Sequence, residues 1–402
     1  MNVSIKSGLA VQGAGNLTVN YNNAGQGGQL LLFPGAKIDF WDISSGLKIN
    51  GNGYLLVDDL ATLGNAVASN PLGFFAFAKD YDAGPDGAYK GGITDALFQG
   101  TLEGLGHTIS NFSINGRHGT GVGMIESAGG VNGPATVRDL TLNNVAIQTT
   151  GGADAGAFVG EGSVDMFNVS SSGTIITGGH SQTGGLVGMA SANSSLMKST
   201  SSVTIVTGAN SKAGGLVGSA DGPIVDCLAA GNVSAGRRSS AGGLAGFAQM
   251  QVDQSFATGN VQADSASRVG GLAGQVAGYT QITNSYATGT VQGGHGASAG
   301  GLVGGDMGAQ IALSYSVGHV DSGKGRIGGF IGDFEDGTNV NDYWDIDTSG
   351  QSAPCKTACG GVTGMSDGEL KSGLPFGFNS TIWGQNPAIN NGYPYLIANP
   401  PQ

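Results

Sequence analysis

The acidic side chains that could act in pairs fall into two clusters. Asp80, Asp82 and Asp86 form one; Asp333, Glu335, Asp336, Asp342, Asp345 and Asp347 form the other. Hydrolysis of a glycosidic bond needs two carboxyl groups about 5 to 10 Å apart, a separation that adjacent coils of a stacked fold can supply. The first cluster lies in a Gly-Pro loop, and the second lies where a sequence repeat runs out. Both read as solvated loops and end-capping charge. The run "DIDTSG" places Asp345 and Asp347 two apart, as in a calcium loop, but the other oxygen ligands at regular spacing are missing. The histidines are His107, His118, His180, His295 and His319. None forms H-E-x-x-H, which would set two imidazoles on one helix face around zinc. His180 and His295 lie in Gly-rich linkers and are expected at the surface. No G-x-S-x-G elbow and no P-loop occurs, and G-x-G matches carry no information in a chain with 77 glycines. The expectation is no catalytic residue, no metal ligand and no cofactor.

Cys355 and Cys359, four apart in "PCKTACGG", are the disulfide candidate, which would fit an oxidising compartment. The alternative is two free thiols in a loop. A zinc site is excluded, since no second Cys or His pair accompanies them. Cys227 sits alone in a strand-like run. N-x-S/T sites occur at Asn2, Asn16, Asn111, Asn168, Asn193, Asn232 and Asn379, in a chain where such triplets also arise by chance.

The elements that must position these residues come from a repeat. The chain has 402 residues, of which 11% are charged and 39% hydrophobic. So many glycines with so little charge usually mark low complexity. Here the apolar residues recur at fixed spacing, and a disordered chain has too few of them to offset its ordering entropy. The net charge of −12, with 16 Lys and Arg, leaves no basic patch for nucleic acid or an anionic membrane. No run of 18 apolar residues exists, so no membrane insertion is expected. The start, "MNVSIKSGLAVQG", is not a signal peptide, and the chain is expected to be an excised piece of a longer protein.

The segments "AGAFVG", "TGGLVG", "AGGLVG", "AGGLAG", "VGGLAG", "AGGLVG" and "IGGFIG" carry Phe158, Leu186, Leu216, Leu244, Leu272, Leu302 and Phe330. The steps are 28, 30, 28, 28, 30 and 28 residues, with a looser copy at Met124. Three further columns align. One is Met166, Leu196, Ile224, Val252, Ile282, Ile311 and Val340. A second is Ser170, Thr200, Leu228, Phe256, Tyr286, Tyr315 and Trp344. The third is Ile175, Ile205, Val233, Val261, Val291 and Val320. A Gly recurs between the last two, at Gly173, Gly231, Gly259, Gly289 and Gly318. Apolar runs of three to five residues between Gly, Ser, Asn and Asp are strands, being too short for a helical period. One unit cannot bury its apolar face, but stacked units share a core. The expected fold is all-β: a right-handed parallel β-helix, or β-solenoid, of 28–30-residue coils at about 4.8 Å spacing. The two-residue insertions are expected in loops on one edge, near Ala190–Ser195 and Gln275–Thr280. The Gly pairs are expected to allow positive φ at corners and close approach of coils.

The run "GGLAGQVAGYTQITNSYATGTVQGG" at Gly270–Gly294 resembles the GLUG repeat, with its "GGLVG…NSYATGxV" core. The resemblance covers about Met124 to Ser349. GLUG repeats occur in large bacterial exoproteins of the filamentous-haemagglutinin type and in IgA-specific metallopeptidases. The resemblance implies a surface location and defines no activity. "GTLEGLGHTISNFSI" is similar to a recurring coil of those two-partner-secreted proteins, and the tail from "NDYWDIDTSGQ" resembles their ends.

Three regions follow. Residues 1–123 are expected to form N-terminal coils, of shorter period over residues 1–57, with a short surface helix near 58–70. That helix has Asp58 or Asp59 as N-cap and Leu60, Leu63 and Val67 on one face. Residues 124–349 are the repeat, ending where Ser349 breaks the aliphatic column. Residues 350–402 are the cap over the open end, with a short helix begun by Ser366 and Glu369. The expected function is a secreted or surface adhesin-type rod, not an enzyme, at the extracellular face of a bacterial cell. Its partners would be a host or bacterial surface protein or glycan, and an outer-membrane secretion partner for the parent protein. The alternatives are a scaffold domain of a larger exoenzyme, and a carbohydrate-active β-helix enzyme. The latter would converge acidic and aromatic residues on one outward groove.

Overall fold

One coil shows why the repeat takes its shape. The strand Ser240–Gly242 leads into a bend at Gly243 and Leu244, and Ala245–Ala248 continues on a second face. Gln251–Asp253, Phe256–Ala257 and Val261–Ala263 complete the turn around the axis. The Gly pair is required by crowding. A Cβ on Gly242 would lie 2.1 Å from Ala245 O, and one on Gly243 2.1 Å from Gly271 O of the next coil. Neither glycine has a positive φ. Most repeat coils have two left-handed corners instead: one at Asn168, Lys198, Asp226, Gln254, Asn284, Leu313 and Asn341, the other at His180, Asn210, Arg238, Ala266, Gly296 and Lys324. This corrects the expectation that Gly pairs supply positive φ; at Asn168, Asp226, Asn284 and Asn341 the short polar side chain tolerates that region by bonding locally, whereas Lys198, Gln254 and Leu313 take it from their place in the stack.

The computed structural model describes residues 2–21, 28–116 and 120–401. It is an all-β solenoid of about 11 stacked coils. Its long sheets run along the stack with 13, 16, 8 and 8 strands, the two eight-stranded ones starting at Gly121 and Ile125, and pairing within them is parallel apart from the hairpin of Gly46–Ile49 with Asn52–Val57. Equivalent residues of successive coils pair in register: Ile205 with Val233, Val233 with Val261, and Val261 with Val291. Leu216, Leu244 and Leu272 are buried in one core. Leu216 N donates to Leu244 O at 2.9 Å, and Leu244 N to Leu272 O at 2.8 Å. Each such leucine contributes about 1.5 to 3 kcal/mol through burial. The longer steps place their extra residues in the turns Ser191–Ser194 and Ala277–Thr280, which join the same two faces.

Two column assignments shift by one residue at the last coil. Ile311 pairs with Asn339, not Val340, and Tyr315 pairs with Tyr343, not Trp344. Alternation decides the consequence. Val340 faces solvent. Trp344 turns inward on the small-residue column of Ala257, Ala287 and Ser316, closing the end of the core.

At the other end, α1 (Leu60–Ser69) starts at Asp59, whose side chain accepts from Thr62 N at 2.6 Å. Leu60, Leu63 and Val67 are buried against the first coils. Before it lie two further coils with a separate core that includes Leu30, Ile38, Phe40 and Leu47. Val3 pairs with Leu30, Leu9 with Ile38, and Asn16 with Gly46. These are steps of 27, 29 and 30 residues (30 − 3, 38 − 9, 46 − 16), so the period is not shorter here.

The C-terminal residues divide. α2 (Ile346–Ser349) replaces the strand that would continue the aliphatic column, and Val362–Met365 adds one last parallel strand beside Asp342–Asp345. From Ser366 the chain leaves the end and lies along the flank. α3 (Asp367–Ser372) opens it with a capping box between Ser366 and Glu369. Phe378, Trp383, Tyr393 and Leu396 then cover the outward aromatic column of Phe256, Tyr286, Tyr315 and Tyr343. This stretch is a strap along the side of the rod.

Candidate functional site

The chemistry-bearing residues are mostly engaged in holding the solenoid together. Asp80 accepts from Lys37 Nζ at 2.6 Å and Thr108 N at 2.9 Å, and lies 3.2 Å from Nδ1 of the buried His107. Burial pushes its carboxyl up, but Lys37, the Thr108 N–H and His107 together leave it below the usual range. Asp82 accepts from Asn111 Nδ2 and Gly84 N, and Asp86 from the hydroxyls of Tyr81 and Tyr89. In the second cluster Asp333 pairs with Arg326, while Glu335 and Asp336 are exposed. Asp345 is buried, caps α2 through Asp347 N and Thr348 N, and accepts from Tyr393 OH at 3.1 Å. Asp347 accepts from Asp367 N.

Asp342 has a different role, which the sequence reading missed. A line of buried hydroxyls runs through the coils beside the left-handed corners. Cys227 N donates to Ser255 Oγ, Ser255 N to Ser285 Oγ, and Ser285 N to Ser314 Oγ. Ser314 N ends the ladder on Asp342 Oδ1 at 2.9 Å. Burial pushes the Asp342 carboxyl up to about 8. Cys227 stands in the same ladder, and burial raises its thiol to about 12. The serine that precedes the aromatic at Phe256, Tyr286 and Tyr315 was the available signal. A third buried group joins Glu103, Arg138 and Asp139. Arg138 Nε lies 3.1 Å from Glu103 Oε2 and 3.0 Å from Asp139 Oδ2, and its Nη2 donates to Leu30 O at 2.8 Å. This group ties the first two coils to the main stack. Burial, then the Asp139 charge, holds Glu103 well above the usual carboxylate range.

His180, His295 and His319 are exposed, and His118 lies outside the described residues. Cys355 and Cys359 are joined by a disulfide at the end of the core, close to the terminal strands. Among the described residues no group of three or more His, Cys, Asp or Glu is arranged to hold a metal ion. No helix among them is long and apolar enough to cross a membrane.

Concave space lies on the outside of the 16-stranded sheet. A groove of about 720 Å³ opens where the strap's last turn, Ala388–Asn391 and Asn399–Pro401, faces two outward columns of the coils. One column is Thr141, Ser170, Thr200 and Leu228; the other includes Asn143, Ser172, Ser202 and Thr258. Asn399 Nδ2 anchors the strap to Asp226 O at 3.2 Å. A smaller groove of about 340 Å³ on the same sheet runs over Asn232, Asn260 and Thr290. There the side-chain oxygens of Asn232 and Asn260 accept from the backbone of the following coil.

Comparison with known proteins finds the repeat motif in one unit. The family model described as the GLUG motif matches residues 265–292. Over 144 residues the chain is 34% identical to Halomucin of Haloquadratum walsbyi. That match covers 34% of this chain and 2% of the relative, so the chain spans a small part of the protein it resembles. A solved Bacteroides ovatus structure assigned as an immunoglobulin A1 protease superposes with a TM-score of 0.40 at 17% identity. The superposition covers 87% of this chain and 93% of that one. The motif match and the stacked coils together define a β-solenoid repeat protein that bears a GLUG motif at residues 265–292.

Proposed function

We propose that this chain is a rod segment of a secreted or cell-surface exoprotein of adhesin type, attaching to surfaces without catalysis. The observation that carries the reading is the register itself. Coil after coil pairs in phase from Phe75 to Trp344, which makes a stiff spacer with a repetitive outer face. The roles of the acidic residues support a non-catalytic part: Asp342 ends a ladder, Asp345 caps a helix, and Asp80 pairs with Lys37 and His107. The GLUG motif and the similarity to Halomucin support an extracellular setting, and a filamentous-haemagglutinin-type parent would fit it. The Cys355–Cys359 disulfide suits an oxidising compartment.

The test uses the purified chain on beads against intact cells, beside a hydrolysis assay on a panel of polysaccharides and immunoglobulin A. Saturable adherence with no new reducing ends and no new peptide fragments is expected. Turnover of either substrate class, or adherence no better than that of uncoated beads, overturns the reading.

A further inference from the structure

We propose that the groove between the strap and the hydroxyl columns binds a neutral oligosaccharide lying lengthwise along the rod. The proposal rests on the attachment role above and assigns it one site and one ligand class. Three observations carry it.

The first is charge. No residue lining this groove is charged, in a chain whose net charge is −12. An ionic polymer would find no counter-charge there, whereas a neutral one meets hydroxyls, amides and a few apolar side chains. The second is unfilled hydrogen-bonding capacity. Among the described residues, the side chains of Thr200, Thr258, Thr288 and Asn391 make no hydrogen bond within the protein, and all four line the groove. A threonine hydroxyl offers one donor and two acceptor sites, and an amide offers both kinds. Thr258 and Thr288 stand at equivalent positions of adjacent coils, so their hydroxyls repeat at about 4.8 Å along the rod. A repeating polyhydroxylated chain presents donors and acceptors in a similar series. Leu228 and Ile389 add apolar surface of the kind on which a sugar ring face rests.

The third observation is the change of column type along the flank. Where the strap seals the outward column, its members are aromatic: Phe256, Tyr286, Tyr315 and Tyr343. Past Leu228, which packs at the edge of that cluster, the same column continues as Thr200, Ser170 and Thr141. The two stretches thus suit different coverings, protein for the first and a polar occupant for the second. In the smaller groove, by contrast, Asn232 and Asn260 give their oxygens to the backbone of adjacent coils.

The experiment screens the full chain on an array of neutral oligosaccharides and uronic-acid oligosaccharides. Calorimetry with the best-binding neutral hexasaccharide follows. Thr258→Val with Thr288→Val removes two hydroxyls and keeps their shape; Gln292→Ala, on the other groove, is the control. Neutral chains should bind in preference. The double variant should lose at least tenfold in affinity at unchanged melting temperature, and Gln292→Ala should stay within twofold. No neutral ligand, a preference for uronic acids, or equal affinity in the double variant overturns the proposal. The bead assay separates the two readings: adherence that survives in the double variant removes this groove and leaves the adhesive rod standing.

Discussion

Tyr315 lies flat upon Tyr286, with ring centroids 5.0 Å apart and planes 4° from parallel, although the two residues are a whole coil apart in sequence. Trp383 tilts across both rings at 5.8 and 5.9 Å and donates its indole N–H to Asn284 Oδ1. Offset stacking of this kind adds about 0.5 to 1.5 kcal/mol per pair beyond area burial. The ladder faces outward, so it is stable in water only while the strap covers it. Trp383→Ala should therefore cost about 3 to 5 kcal/mol in chemical denaturation. It should also raise binding of a hydrophobic dye while leaving the far-ultraviolet strand signal intact. A variant with normal dye binding and unchanged stability would show that the strap does not shield the ladder.

Leu244 and Leu272 stack in adjacent coils of one core. Each truncation to Ala should cost about 2 to 5 kcal/mol. The double variant should depart from the sum of the singles by about 0.5 to 3 kcal/mol, because both remove atoms from one shared volume. Leu186 and Leu302 stand four coils apart and should add within about 0.5 kcal/mol. Denaturant midpoints of the two cycles test this. Strict additivity in the adjacent pair would contradict a shared stack.

The Cys355–Cys359 disulfide closes a short loop at the end where the last coil is exposed to pairing with other chains. A loop of this length limits the unfolded chain by about 2 kcal/mol. Replacing both cysteines with Ser should lower stability by that order and speed amide exchange first in Ile331–Phe334, whose Ile331 bridges to Cys355. Uniform exchange along the rod would place the effect in the unfolded chain alone.

The inward columns were legible because each unit repeats the same apolar type at one phase, as at Leu216, Leu244 and Leu272. The helix at Leu60–Ser69 was legible for a similar reason: an Asp cap and three apolar residues at helical spacing. Register at the last coil was not. Val340 and Trp344 are the more apolar choices at their positions, and only strand alternation shows that Asn339 and Tyr343 occupy the columns. The sequence alone points the strap at the open end, since nothing local to residues 366–401 says which surface they meet. That information resides in Phe256, Tyr286 and Tyr315, aromatic residues on an outward column that demand a partner. The groove inherits the same difficulty, because it exists only where two distant segments face each other.

Asp342 ends the serine ladder as a buried carboxyl whose pKa stands at about 8, above the ordinary value of 3.8. Burial is the cause, opposed by the N–H groups of Ser314 and Val340. A raised acid pKa means that the folded chain holds a proton the unfolded chain has released. Between about pH 4 and 8 the native state therefore binds more protons, and stability falls as pH rises through that window. Glu103 and Asp139 are raised too and act in the same direction. Asp342→Asn removes one titrating group while keeping an amide oxygen for Ser314 N, at the loss of the contact with Val340 N, about 1 kcal/mol. Melting temperatures across pH 4 to 9 should fall more gently in the variant than in the parent chain. The variant should be the less stable of the two near pH 5, with the difference shrinking or reversing by pH 8. Parallel curves would mean that Asp342 is ionised in the fold and that its ladder ends in a buried charge.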